Sequence, residues 1–581
     1  MDDLERFFLQ PKQSLHRRYE VLRALCVEKL AAKEVARRFG YSIHTVNAMK
    51  RDFAQAARAG EYPPFFLATS PGRNPREDRD ELRETIISLR KQNYSILDIR
   101  AALGAREHDV SHDFIHRVLV EDGFARLPRR TTLEKRRGSP VKLTAPRSQP
   151  IDWRVELGKR YHSECGIGLL AFLPLLAKLR VADWIEEARY PETAELSRTH
   201  SFLSFLALKL AGYERYSHDD LWAMDRSLGL FAGLNVLPKD ATLSSYSYRV
   251  ERRMNRRFLR AMARSLYKEG LLGGLVNLDF TAIPHWGDAS VLENNWSGKR
   301  GKALKSVLAL LCQDPDSGIF CYADAEVSHG SQPECVLEFV DFWKTGGKPL
   351  KCLIFDSRFT TYENLGKLDR DGVKFITLRR RSKKLIAAVA ALAPEKWQEI
   401  RLRNSEAKYT TVRVHDTAVE LSAVKHRFRQ LVMTGHGREK PAFILTNDWD
   451  LDPAHLVNQY RRRWLVEKRI SEQIEFFHLN KLSSSLVVKV DFDLTLTITA
   501  HNLYRATALM LGGHEWETSK SLNAKFFANG GAFEVMDDGI RVYLKKKRHL
   551  PLLMATLNEI GPTHIPWLDN RLLLFEPWTV S

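Results

Sequence analysis

Two short apolar runs, residues 275–280 and 350–355, each bring an aspartate to the end of a predicted strand, Asp279 and Asp356. Runs of this length, bounded by polar residues, are what a strand buried on both faces requires. The chain is therefore expected to build an α/β core whose strands deliver acids at their ends.

A third acid stands on a helical pattern. Gln459-Tyr460-Arg461-Arg462-Arg463-Trp464-Leu465-Val466-Glu467 opens a stretch that runs to about His478. As one helix it sets Tyr460, Arg463, Glu467, Ile474 and His478 on a common face. A carboxylate there can hold a metal ion while Arg463 and Tyr460 grip a phosphate beside it. The plainer reading is an amphipathic helix whose Arg and Glu form an i,i+4 ion pair. Against that reading, Asp279, Asp356 and Glu467 together supply the three acids, from two strands and a helix, that a two-metal phosphoryl-transfer site requires.

These residues resemble a known pattern. Tyr460, Arg463 and Glu467 match the Tyr-x2-Arg-x3-Glu-x6-Lys signature of bacterial DDE transposases of the insertion-sequence-four superfamily, with Ile474 in place of the Lys. Asp356-Ser357-Arg358-Phe359, Asn364-Leu365 and Phe375-Ile376 match the surroundings of the family's second acid, and Asp279-Phe280-Thr281 those of its first. The resemblance covers roughly residues 240–510. It implies an RNase H-like core interrupted by a β-rich insertion, with Asp279, Asp356 and Glu467 as catalytic residues and metal ligands. It also implies two Mg2+ ions, with Mn2+ as their substitute, and phosphate held by Arg463 and Tyr460. Arg379, at the end of a strand beside the site, is a further candidate phosphate ligand, and His478 a partial substitute for the missing Lys or a packing histidine.

The remainder of the chain is consistent with a DNA partner. Lys and Arg number 90 against 71 Asp and Glu, a net charge of +19 that favours a polyanion. Residues 14–60 read as three short helices in a helix-turn-helix arrangement, with Gly40-Tyr41 as the turn and Ser42 as the cap of the third helix. His44 and Asn47 at its start suit base edges, and Lys50 and Arg51 suit phosphates. A plain structural three-helix module has the same spacing. Residues 78–128 repeat the pattern with less positive charge, exposing His112, Asp113, His116 and Arg117, and packing is as fitting a role as groove reading.

A basic linker over 129–151 suits a phosphate backbone or a minor groove. A helical subdomain over 152–270 follows, then the first part of the core (271–380), the insertion (381–440), and the second part of the core with the C-terminal region (441–581). The fold class is thus multidomain α/β, with all-α modules leading. The longest apolar run, residues 166–177, is shorter than the roughly 20 residues of a membrane helix and contains Pro174. The acidic start lacks the features of a secretory signal. A cytoplasmic, nucleoid-associated protein without membrane contact is expected. Cys26, Cys165, Cys312, Cys321, Cys335 and Cys352 show no paired spacing and read as reduced core residues.

The expected activity is that of a transposase that binds the terminal inverted repeats of its element, cleaves there and joins 3′ ends to target DNA, working as a homodimer on the DNA. A non-cutting sequence-specific DNA-binding protein and a nuclease without strand transfer are the alternatives.

Overall fold

Helix ends in the first part of the chain follow side-chain chemistry. Helices α1 (Asp3–Leu9), α2 (Ser14–Cys26), α3 (Ala32–Phe39) and α4 (Ile43–Arg58) come first. Gly40, in the left-handed region at φ 70°, closes α3, and the Ser42 hydroxyl accepts the Thr45 amide at 3.1 Å to start α4. Val21, Ala24, Leu25, Val35, Ala36, Phe39 and Val46 form a small core. Helices α5 (Arg79–Lys91), α6 (Ile96–Gly104) and α7 (His112–Glu121) enclose a second one, built on Leu82, Ile86, Ile99, Leu103, Ile115 and Val118. Ser95 and Asp98 cap α6 reciprocally: the Asp98 carboxylate accepts the Ser95 amide at 2.9 Å, and the Ser95 hydroxyl accepts the Asp98 amide at 3.3 Å.

The computed structural model describes residues 3–60, 79–91, 94–104, 108–124, 146–164, 166–214, 222–284, 292–297, 302–347, 349–403, 409–421, 426–437, 439–479 and 487–578. Most of the basic linker and Cys165 lie outside the described residues. Contacts divide the chain into two units, Met1–Leu143 and Thr144–Ser581.

In the second unit α8 (Leu173–Lys178), α9 (Val181–Ala188), α10 (Arg198–Leu210), α11 (Arg226–Phe231), α12 (Asp240–Ser247) and α13 (Arg252–Lys268) precede the main sheet. Its strands are β2 (Leu275–Pro284), β3 (Asn294–Ser297), β4 (Lys302–Gln313), β5 (Phe320–Val327), β6 (Cys352–Phe355), β7 (Lys374–Leu378), β8 (Gln398–Arg403), β9 (Tyr409–Leu421), β10 (His426–Thr434) and β11 (Ala442–Thr446). A separate short strand, β1 (Arg160–Ser163), belongs elsewhere, as described below. The main sheet runs β5-β4-β2-β6-β7-β11-β10-β9-β8, and β3 pairs antiparallel with the first part of β4, residues 302–305. β5, β4 and β2 are antiparallel; β2, β6 and β7 are parallel, joined through α14 (Cys335–Lys344) and α15 (Tyr362–Arg370).

The segment expected to be β-rich between Asp356 and Glu467 is so, and its strands join the main sheet. Strands β8 to β10, read from sequence as a β-rich insertion, extend the main sheet through the antiparallel β10–β11 and β11–β7 pairs. β9 is one continuous strand, and near its middle the Asp416 carboxylate pairs with the buried Arg429 on β10 at 2.6 Å.

The helix α16 (Lys383–Ala390) leads into β8, and α17 (Pro453–Arg461), α18 (Trp464–Glu475) and α19 (Val487–Met510) follow β11. α19 covers the outer edge of β5: the Asn502 amide accepts the Phe320 N–H at 2.8 Å and donates to its carbonyl at 2.7 Å, and Asp491 accepts the Ala325 N–H. These bonds satisfy an edge that would otherwise recruit another strand. A second sheet, β1-β12-β13-β15-β14, joins β1 to β12 (Gly531–Val535), β13 (Gly539–Leu544), β14 (Thr563–Ile565) and β15 (Arg571–Pro577), with α20 (Leu550–Ile560) between β13 and β14. The two ends of this unit thus share one sheet, which a purely helical reading of residues 152–270 does not anticipate.

Candidate active site

Register places the first two acids side by side. β2 and β6 are parallel with Leu278 opposite Phe355, so Asp279 and Asp356 are the next residues along adjacent strands. Parallel neighbours lie about 4.8 Å apart, which brings both carboxylates to one patch at the end of β6.

The turn after β6 is built to hold Asp356. Its carboxylate accepts the Arg358 amide, and its carbonyl accepts the Phe359 amide at 3.3 Å. The Thr360 and Thr377 hydroxyls, 2.8 Å apart, each reach the Asp356 carbonyl at 3.4 Å. Phe359 then stacks on Phe280 of β2, with ring centroids 4.0 Å apart and planes 9° from parallel. That stack ties the second acid's turn to the first acid's strand, and it gives Phe359, 1% exposed, a packing reason to stand three residues after Asp356.

Arg463 meets Asp279 at 2.8 Å, with both side chains largely buried at 10% and 14% exposure. Its position depends on a helix break that the sequence pattern does not show. The stretch expected as a single helix from 459 to 478 is two, α17 and α18, parted at Arg462-Arg463. Here the backbone tightens to i→i+3 bonds, and the Arg462 carbonyl accepts from the buried Asn277 side chain at 3.3 Å rather than from the next turn. The Arg462 guanidinium binds the Pro315 carbonyl at 3.0 Å, fixing the break against the β4–β5 turn.

Tyr460, at the end of α17, is buried and next to this group. Burial pushes its phenol up to about 12; Arg463, which hydrogen-bonds it, opposes that shift, and the nearby Asp356 and Asp279 carboxylates reinforce it. Tyr460 is therefore a protonated donor at neutral pH. Asp279, Asp356, Tyr460 and Arg463 thus form one cluster.

Glu467 is in α18, one turn beyond Arg463, and α18 packs against β2. Its side chain lies outside the described residues. Among the described residues no three His, Cys, Asp or Glu side chains form a metal-binding group.

Two sequence candidates stand elsewhere. Arg379 donates to the Tyr362 hydroxyl at 3.2 Å and to Gln430 at 2.8 Å, tying β7 to α15 and β10. It is Arg380 that reaches the acid's turn, donating to the Ser357 carbonyl at 3.2 Å. Neither Arg380 nor Asn277 carries a signal in the sequence, because their partners are distant in the chain. His478 follows the end of α18 at φ 57°, with its ring 3.1 Å from the Gly212 carbonyl. Glu472, also on α18, is engaged by Arg469 at 3.0 Å and by the Ser519 amide. Burial pushes the Glu472 carboxyl up, but His501, Ser519 and Arg469 outweigh it and hold the group below its ordinary range.

In the first unit His44, Asn47, Lys50 and Arg51 are all exposed on α4, with Val46 buried between them. Arg51 also pairs with Asp52 at 3.3 Å. On α7, His112, Asp113, His116 and Arg117 are likewise exposed. Of the described cysteines, Cys26 is half-buried and Cys312, Cys321, Cys335 and Cys352 are buried, all as free thiols. Among the described residues no helix is long and apolar enough to cross a membrane.

Residues 290–503 match a family model described as a transposase DDE domain. The matched segment contains Asp356, Tyr460, Arg463 and Glu467, begins after Asp279, and supports a DDE transposase. No curated protein matches the chain. Among solved structures, the chain is similar to a piggyBac transposase in a synaptic complex with hairpin DNA. The identity is 10% over 69% of this chain and 84% of that one, with a TM-score of 0.36.

Proposed function

We propose that this chain is a DNA transposase of the insertion-sequence-four superfamily that binds the terminal inverted repeats of its element, cleaves there and transfers the 3′ ends to target DNA. The observation that carries this reading is the neighbouring pair of Asp279, within β2, and Asp356, just past the end of β6, with Arg463 seated on Asp279 at the start of α18 and Glu467 one turn further along. Three antiparallel strands followed by two parallel ones support an RNase H-like core.

Two adjacent carboxylates are hard oxygen donors whose mutual repulsion favours a divalent cation, and Arg463 supplies counter-charge to Asp279 from one side. Asp279, Asp356 and Glu467 would hold two such ions, Mg2+ or Mn2+. Bound there, they would supply Lewis-acid activation of water or a 3′-hydroxyl and stabilisation of the leaving oxygen. The chain's own groups orient the DNA. Arg463 presents a planar fork suited to a phosphate, and the protonated Tyr460 a single hydroxyl donor. The α4 surface, with His44 and Asn47 toward bases and Lys50 and Arg51 toward phosphates, would read the terminal repeat. Cleavage coordinated at two ends calls for a homodimer on DNA.

The test incubates purified protein with Mg2+ and the DNA flanking its own coding region, and maps breaks and joints at nucleotide resolution. Breaks at repeat ends followed by joints to target DNA are expected, both lost in Asp279→Ala and Asp356→Ala. Breaks without joints would indicate a nuclease. Binding without breaks would indicate a non-cutting DNA-binding protein.

A further inference from the structure

The β3–β4 ribbon projects past the end of β2, and one of its faces is open. Trp296 on β3 is 59% exposed. Its cross-strand partner is Ala303, too small to cover an indole, and the next pair on the same face, Asn294 and Lys305, is exposed as well. Lys302 is exposed near the tip of the ribbon.

The opposite face is anchored. Asn295, 5% exposed, donates to the Ser306 carbonyl at 3.2 Å and meets the His329 ring at 2.7 Å. The His329 amide in turn donates to Glu293 at 2.8 Å, so the carboxylate at the base of the ribbon is engaged. Lys305 also donates to the Leu292 carbonyl. The ribbon is thus fixed at its root while an indole, an amide and the Lys305 ammonium share the open face, and Lys302 is exposed on the other face.

We infer that this ribbon is a second DNA contact of the catalytic unit, with Trp296 against the base or sugar edges of a groove and Lys305 on a phosphate. A two-stranded ribbon fits a major groove, aromatic rings bind nucleic acid with little sequence preference, and lysines match the charge of the backbone. An acidic or apolar protein partner would leave the indole or Lys305 unused. The inference rests on the transposase reading and adds a distance to it. Ala303, opposite Trp296, and Leu311, opposite Asp279, are about eight residues apart on β4, or roughly 27 Å at 3.4 Å per residue. For a duplex lying along β4, that spacing is about 8 base pairs, at roughly 3.4 Å each, from the Asp279 and Asp356 site.

The experiment is hydroxyl-radical footprinting of full-length protein on its end DNA, with affinity measured across a salt series. Wild type should protect a patch about 8 base pairs from the cleaved phosphate. Trp296→Ala should lose that patch alone and bind about tenfold more weakly, and Trp296→Phe should recover most of it. Lys305→Ala should lower the slope of log K against log salt by about 1. Unchanged footprint and affinity in Trp296→Ala, with wild type still cutting, overturns the ribbon contact and leaves the transposase reading standing. A wild type that neither binds nor cuts DNA overturns both.

Discussion

Removing Arg463 should expose how strongly the two neighbouring acids repel. Asp279 and Asp356 sit at adjacent parallel positions, so their charges are about 5 Å apart; at an effective dielectric near 20 they repel by about 3 kcal/mol. Arg463, 2.8 Å from Asp279 and largely buried, offsets that repulsion. Arg463→Ala in EDTA should therefore cost about 2–4 kcal/mol and lower Tm by about 3–6 °C. Asp279→Asn in the same background removes the repulsion and should restore most of the loss, a coupling of about 2 kcal/mol in the double-mutant cycle. Excess Mg2+ should also rescue Arg463→Ala, because a bound cation supplies the missing counter-charge. The assay is thermal and urea unfolding of the four proteins of the cycle, each with EDTA and with Mg2+. An Arg463→Ala protein as stable as wild type in EDTA, or a double mutant no more stable than Arg463→Ala, would refute the reasoning.

Three further outcomes are expected. Tyr460→Phe should slow DNA cleavage less than Arg463→Ala, and its pH–rate profile should match wild type below about pH 10, because the phenol is pushed up to about 12; single-turnover cleavage across pH checks both. Asp491 is raised to about 7, chiefly by burial, so the folded state keeps a proton that the unfolded state releases from about pH 4 upward. Stability should fall as pH rises from about 4 to 7, and Asp491→Asn should flatten that fall, by up to about 4 kcal/mol at pH 8, in urea titrations. In the first unit Asn47→Ala should cost about 1–3 kcal/mol on the terminal repeat and less on unrelated DNA, while Lys50→Ala should weaken both and reduce the salt slope by about 1, as read by fluorescence anisotropy.

Much of the molecule was legible because it depends on local chemistry. Asp279 and Asp356 stand on apolar runs that become adjacent strands, although β2 continues past Asp279 to Pro284 and only Asp356 follows a strand end. Ser42 announces the start of α4 because the capping oxygen and the amide it accepts are three residues apart. The Tyr460, Arg463 and Glu467 spacing marked the third acid's helix, although its continuity was misread.

Tertiary structure decided what depends on partners far along the chain. The break at Arg462 is made by Asn277 and the β4–β5 turn, neither of which is visible in the helical period of residues 459–478. Arg379 and Arg380 are equivalent in sequence, yet Gln430 and Tyr362 take one while the Ser357 carbonyl takes the other. β1 is four residues long and becomes a strand only because Gly531–Val535 lies beside it. Local propensity selects among conformations within a few residues; which side chain meets which acid is settled only when segments hundreds of residues apart close on one another.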